Sequence, residues 1–453
     1  MYQTINKLRM NVFKNISEKK SYSIFYILSV ALFSSNWIIQ FIIGPNSFKI
    51  SVLLGLVLTC GIILFIPQRT DRVTTHMNKI YLLLVHIIGI SFLINGIIFH
   101  VLGYIAVGAV FIVIIPILHI AISEGDQVII LKSLAHAIIC SFFIFMIIAI
   151  LFGPGLSEKQ YSAFVRNPNT LGIFMIIVVS ACVFLIYKKF YEKEKPLLPI
   201  ICMSFAIAFC IFSQSRTSLL AIIGELLFLL FIMFPLYNLE CKNTLTAFKK
   251  LTALILIISL SIIISTSLFY YMMTTIKKEL AVAIPSLQIE TVDSENKVTN
   301  AGELLNISET RFSKGIEKKD SDAFTSGRIT IWNDFYNDIS IIGHEKEGKD
   351  ISFSGRIYKD TNAHNVYLQI GYSAGIIAGI AMILLMLSII KDSFIFFFGQ
   401  CRGVLLDPGK VFSIVISIGF FVVSLTSGGY MMYTYCTATL FWILMFNFSV
   451  DVK

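Results

Sequence analysis

The chain has 453 residues, 56% of them hydrophobic and only 14% charged, with a formal net charge of +9. So little polar surface excludes a set of soluble domains and indicates a polytopic membrane protein. The basic excess follows from where lysine and arginine fall in the loops, so it carries no implication of nucleic-acid binding.

A helix rising 1.5 Å per residue needs about 17–25 mostly apolar residues to cross roughly 30 Å of hydrocarbon. Twelve such runs occur, near 21–43, 48–66, 80–98, 100–122, 129–152, 169–187, 197–213, 217–237, 251–273, 366–390, 411–427 and 429–449. They are continuously apolar, unlike barrel strands, which alternate lipid-facing and lumen-facing residues. The first run is too long for a signal-peptide core and is expected to stay as an anchor. Only Phe99 separates the third and fourth runs, which requires a tight helical hairpin or a shifted boundary. The predicted fold class is an all-α integral membrane protein of about 12 transmembrane helices with one long outer loop containing short helices. Helices 1–9 occupy 1–273, the hydrophilic loop 274–365, and helices 10–12 the span 366–453.

Loop charge sets the orientation. With the N-terminus inside, the inner segments carry 20 lysines and arginines, whereas the short outer loops hold only Lys49, Lys159, Arg166 and Arg216. The long loop then lies outside. All eight cysteines fall in predicted helices or inner loops, so no disulfide is expected.

The long loop holds 12 lysines and arginines against 15 aspartates and glutamates. Its first part, to about Asp322, is rich in Glu, Lys, Ser and Asn. From Arg328 to Ile342, Trp332, Phe335, Ile339 and Ile342 recur at spacings of three and four, which predicts an amphipathic helix preceded by capping and turn residues Ser326 and Gly327.

Three polar motifs open even-numbered helices, which run from outside to inside. They are Arg166-Asn167-Pro168-Asn169, with Asn167 as N-cap, then Ser213-Gln214-Ser215-Arg216-Thr217, then Asn362-Ala363-His364-Asn365. A helix N-terminus offers unpaired N–H groups and partial positive charge, and a guanidinium adds forked donors that match phosphate oxygens. Arg328, opening the loop helix, can be brought over the same place. Two readings stay open for Arg166 and Arg216, anion binding or snorkelling at the interface. His364 is either a helix-end residue or a functional base, and Glu225, in the eighth helix, either a transport carboxylate or a structural partner. The spanning histidines His86, His100, His119 and His136 have no metal-ligand spacing, no metal site is expected, and no nucleotide motif is present.

Together the motifs resemble the O-antigen ligase and O-antigen polymerase superfamily. The matching pieces are Arg166-Asn-Pro-Asn-Thr-Leu-Gly, Phe212-Ser-Gln-Ser-Arg-Thr-Ser-Leu-Leu-Ala, Thr325-Ser-Gly-Arg-Ile-Thr-Ile-Trp-Asn and Ala363-His-Asn-Val-Tyr-Leu-Gln-Ile-Gly. The resemblance covers roughly 160–390 and implies a glycosyltransferase of the bacterial cytoplasmic (inner) membrane, with its active site on the periplasmic side. It implies inverting transfer from an undecaprenyl-diphosphate-linked oligosaccharide without metal, nucleotide or other cofactor. His364 would be the general base, Arg216 and Arg328 would hold the diphosphate with Arg166 as a third, and Asn365, Tyr367 and Asn169 would orient the acceptor or support the site. Arg311, Arg356 and His344 match no motif and are alternatives for these roles. The acceptor would be another lipid-linked glycan in a polymerase, which is the expectation, or lipid A core or a protein in a ligase. Chain-length regulator and flippase proteins are implied partners. A transporter of lipid-linked sugars is the alternative from another class; against it stands the lack of matching hydropathy symmetry between the halves.

Overall fold

A computed structural model describes residues 17–43, 48–67, 78–123, 125–154, 156, 160–165, 167–277, 279, 327–353, 356–400, 407–426 and 436–446. These are mostly helical. The helices are α1 (Glu18–Ile43), α2 (Phe48–Phe65), α3 (Lys79–Ile98), α4 (Leu102–Ser123), α5 (Gln127–Phe152), α6 (Pro168–Tyr191) and α7 (Leu197–Ser213). They continue with α8 (Arg216–Cys241), α9 (Thr244–Ile276), α10 (Arg328–Asn337), α11 (Val366–Ala374), α12 (Ile376–Gln400), α13 (Pro408–Ser424) and α14 (Cys436–Phe446). A two-stranded antiparallel hairpin, β1 (Lys349–Phe353) and β2 (Arg356–Thr361), lies between α10 and α11.

Every predicted apolar run contains a helix, because lipid offers no partner for backbone N–H and C=O groups and a helix satisfies them internally. Seven helices are long and apolar enough to cross by themselves, namely α3, α4, α5, α6, α8, α9 and α12. An eighth is α1, bent by 53° between Ser35 and Trp37, whereas α2, α7 and α13 are apolar but shorter. Of about twelve crossings expected, seven or eight are therefore matched by helices of sufficient length among the described residues. Most enclosed is α6, with 83% of its apolar stretch buried, and α9 is the most lipid-facing, with 17%.

In lipid, close approach at small residues replaces hydrophobic sorting as the source of helix pairing. The predicted hairpin is formed by α3 and α4, which reverse through Phe99 and a left-handed His100 (φ 56°). Gly89 faces Gly108, and a Cβ on Gly96 would lie 2.8 Å from the backbone nitrogen of Ile105, so the two helices touch backbone to backbone.

Deep in the bundle, Glu225 of α8 is fully buried and accepts a hydrogen bond from Ser180 of α6 at 2.6 Å. Gly419 of α13 closes the third side, where a Cβ would come within 2.5 Å of the carboxyl oxygen. Such a three-helix junction favours the structural role for Glu225. Glu225→Gln keeps the shape and the acceptor and is expected to leave transfer activity and thermal stability in detergent unchanged. Glu225→Leu removes the Ser180 partner and is expected to cost about 1–2 kcal/mol. Loss of activity in Glu225→Gln with intact stability would point instead to carboxylate chemistry.

Two sequence expectations are corrected. The run 366–390 is not one helix: Gly375 takes φ 96°, open to glycine alone, and a Cβ there would sit 2.0 Å from the carbonyl oxygen of Ile341. Gly371 of α11 instead meets Gly379 of α12, so α11 folds against α12 and does not extend it. The loop helix α10 ends at Asn337, short of Ile339 and Ile342. Asn337 and Asp338 are poor helix formers, and an acidic residue opposes the dipole at a C-terminus.

The segment after α10 plugs the α11–α12 break. Ile376 donates its N–H to the Ser340 carbonyl at 2.9 Å. Asn95 of α3, fully buried, donates its side-chain amide to the carbonyls of His344 at 3.1 Å and of Ser373. A small apolar core of Phe335, Ile351, Ala363 and Tyr372 then fixes α10 and β1 onto α11, with the Phe335 and Tyr372 rings edge to face at 4.7 Å. The long loop to Asp322, with Arg311 and the capping candidate Ser326, lies outside the described residues.

Candidate active site

Three predicted helix starts converge at one end of the bundle. At α6, the Asn167 side chain accepts from the Asn169 N–H at 2.9 Å, and Pro168 occupies the first helical position, where its missing N–H is harmless. Arg166 lies outside the described residues. Gly172 lets α8 approach so closely that a Cβ would sit 2.1 Å from Ser218 Oγ. The Ser215 hydroxyl can then donate to Asn169 Oδ1 at 3.0 Å, which commits Asn169 to joining the two helix ends.

Between α7 and α8 the chain reverses through Gln214, left-handed at φ 52°. Ser215 is the N-cap of α8 and makes no side-chain capping bond, and Arg216 and Thr217 follow it in the first turn. Arg328, the first residue of α10, reaches this turn after a left-handed Gly327 and donates to Thr217 Oγ1 at a long 3.5 Å. The same oxygen accepts from Thr426 Oγ1, just beyond α13, at 2.9 Å. Burial, and next the neighbouring Arg216, lower the pKa of Arg328 from its ordinary value. The half-buried Arg328 therefore lies near enough to Arg216 to feel its charge, a repulsion that a bound anion would relieve.

His364 lies one residue ahead of the N-cap of α11. Asn365 is the cap, its Oδ1 accepting from the N–H groups of Tyr367 at 3.0 Å and Leu368 at 3.1 Å, while its Nδ2 donates to the Leu425 carbonyl at 3.3 Å. The Tyr367 hydroxyl pairs with Ser424 Oγ at 2.9 Å. Asn365 and Tyr367 thus tie α11 to the end of α13. The backbone of His364 is left-handed, at φ 48°, a conformation costing a non-glycine residue about 1–2 kcal/mol. Asn362 Oδ1 holds its N–H at 3.0 Å. Burial, and then Arg328, lower the His364 pKa below the ordinary histidine value. An imidazole whose neutral form is favoured, beside Arg328, has the character a proton acceptor needs.

The alternative residues lie elsewhere or serve the fold. His344 stacks on Tyr372 with centroids 4.1 Å apart, and its Nε2 lies 2.6 Å from the Asp338 carbonyl. Arg356 opens β2. Sequence reasoning did not single out Thr217, although it lies inside a quoted motif, nor Thr426 and Ser424, whose only signal is their distant pairing in space. Among the described residues no group of three or more His, Cys, Asp or Glu side chains is arranged to hold a metal ion.

The fold is that of a multi-pass membrane protein with a cationic, histidine-bearing site at one end of the bundle. Residues 201–383 match the family model described as O-antigen ligase, a span that includes Arg216, Arg328 and His364. This segment is therefore similar to the O-antigen ligase and polymerase superfamily, a likeness that points to ligase- or polymerase-type function. No curated protein and no solved structure matches the chain.

Proposed function

We propose that the protein is a polysaccharide polymerase that transfers a glycan from polyprenyl diphosphate to a hydroxyl of a second lipid-linked repeat unit. The observation that carries this is the position of Arg328, which approaches the first turn of α8 beside Arg216 and lies close enough to His364 to depress its pKa. The acceptor oxygen attacks the anomeric carbon while His364 takes its proton. The bond from that carbon to the diphosphate oxygen breaks, and the electron pair leaves with the diphosphate. Arg216, Arg328 and the N–H groups of α8 meet the growing charge, with Arg166 as a third cation. Attack opposite the leaving group inverts the anomeric centre.

The lysines support an outer, periplasmic location. Lys79, Lys132, Lys188, Lys242, Lys391 and Lys410 all lie toward the end of the bundle opposite the site, where the positive-inside rule puts the cytoplasm. With α11 set aside, α1–α9 and α12–α14 make twelve crossings of a bacterial inner membrane in this orientation. Chain-length regulator and flippase proteins are proposed as partners.

A ligase using lipid A core is the second reading, favoured by the description of the matching family. Purified protein given a polyprenyl-diphosphate oligosaccharide alone separates the two. Chain growth supports the polymerase, and transfer only after lipid A core is added supports the ligase.

The pH profile tests the base. A lowered pKa keeps His364 neutral further into acid, so the acid limb of kcat/KM, which reports the free enzyme, is expected below the ordinary histidine pKa of about 6.5. Bound diphosphate offsets the field of Arg328, so the limb of kcat is expected at higher pH than that of kcat/KM. Arg328→Gln should raise the kcat/KM limb. A limb unmoved by that change would separate His364 from Arg328.

A further inference from the structure

Gln369 lies one turn inside α11 and is 2% exposed. Its side chain reaches back past the helix start as well as to the next turn of the helix. Oε1 accepts from the Ala363 N–H at 2.8 Å, and Nε2 donates to the Glu347 carbonyl at 2.8 Å and to Ser373 Oγ at 2.9 Å. Helix capping does not require this reach, since Asn365 already satisfies two first-turn N–H groups.

The two amides flanking the Ala363–Cα are thereby held by side chains from opposite directions: that of Ala363 by Gln369 and that of His364 by Asn362. His364 is left-handed, a conformation a non-glycine residue leaves readily unless its surroundings over-determine it. The partner on the far side, Glu347, belongs to the loop segment that carries α10 and Arg328. One buried amide therefore joins the backbone of Ala363, next to His364, to the chain that delivers the arginine.

We propose that Gln369 is a positioning residue for the transfer reaction, fixing the backbone at His364 so that its imidazole keeps one placement relative to Arg328. This rests on the assignment of His364 as the base. Gln369 touches no reacting atom, so its loss acts on turnover and not on capture of the donor.

The test uses the full chain in nanodiscs, with Gln369→Met, which fills the volume without hydrogen bonds, and Gln369→Glu, which keeps the acceptor for Ala363. Gln369→Met is expected to lower kcat by about 10- to 100-fold, the scale of a misplacement near 1 Å, with the donor KM within about threefold of wild type. Gln369→Glu is expected to recover most of kcat. Hydrogen exchange of a peptide spanning 360–368 should quicken in Gln369→Met and stay slow in Gln369→Glu. Wild-type kcat in Gln369→Met, or an effect carried by KM alone, overturns the proposal. If Gln369→Met does not fold, Gln369→Glu carries the test: slow exchange with near-wild-type kcat supports it, and slow exchange with kcat lost overturns it. His364→Ala run in parallel keeps the two ideas apart. Full activity there removes the base assignment, while unchanged exchange in Gln369→Met removes the anchoring by Gln369, whatever the activity.

Discussion

Replacement of His364 by alanine is expected to lower kcat by about 10²- to 10⁴-fold, the range that a positioned general base contributes. The donor KM should change far less, because the imidazole meets the acceptor hydroxyl and not the diphosphate. The effect is expected to be large because the structure invests in this residue: it holds a left-handed backbone, caged by Asn362 and next to the cap of α11, and is kept neutral by burial and Arg328. Alanine relieves the backbone only slightly and removes the acceptor outright. Single-turnover transfer with purified protein gives the chemical step directly. Retention of wild-type turnover by His364→Ala would end the base assignment and leave the arginines as an anion site without a proton acceptor.

Arg328→Lys is expected to lower kcat by about 10²- to 10³-fold, the usual cost of removing one electrostatic stabiliser from a preorganised site. Lysine keeps the charge but not the planar fork that grips two phosphate oxygens, and it is more strongly hydrated, so it suits a half-buried position poorly. Arg216→Lys should follow in the same direction. Since Arg328 approaches the turn that begins with Arg216, through Thr217, the double variant should lose less than the two single losses multiplied. Transfer rates across the four proteins, with inhibition by free polyprenyl diphosphate as a second measure, test the assignment. Full activity in Arg328→Lys would mean that charge suffices and forked recognition is absent.

Much of the fold could be read in the sequence because lipid imposes one rule, that of about 20 apolar residues in helical form. The hairpin through Phe99, the Asn167 cap with Pro168 and the clustering of the three helix starts all followed from local patterns. What stayed hidden depends on single angles or distant partners. The break at Gly375 looks like ordinary apolar helix until φ turns positive, and α10 loses its last turn because Ser340 and Ile341 are drawn to the α11–α12 break. The β1–β2 hairpin is short and polar, with no clear alternation to announce it. At the site, the residue types were legible from their motifs, whereas the supports Thr426, Ser424, Asn95 and Gln369 were not, since a hydroxyl or amide carries no sequence mark of what it will bind.

The buried Asn95 also bears on when the enzyme comes to life. It grips carbonyls 249 and 278 residues further along the chain, and Thr217 waits for a hydroxyl 209 residues later. Membrane helices insert one by one and only then associate. A nascent chain that has delivered α8 and α10 has both arginines but lacks the Thr426, Asn365 and Tyr367 contacts that α11 and the end of α13 bring. Those contacts can form only once α11 and α13 have emerged, so the candidate site is completed late in synthesis, on helices inserted long before.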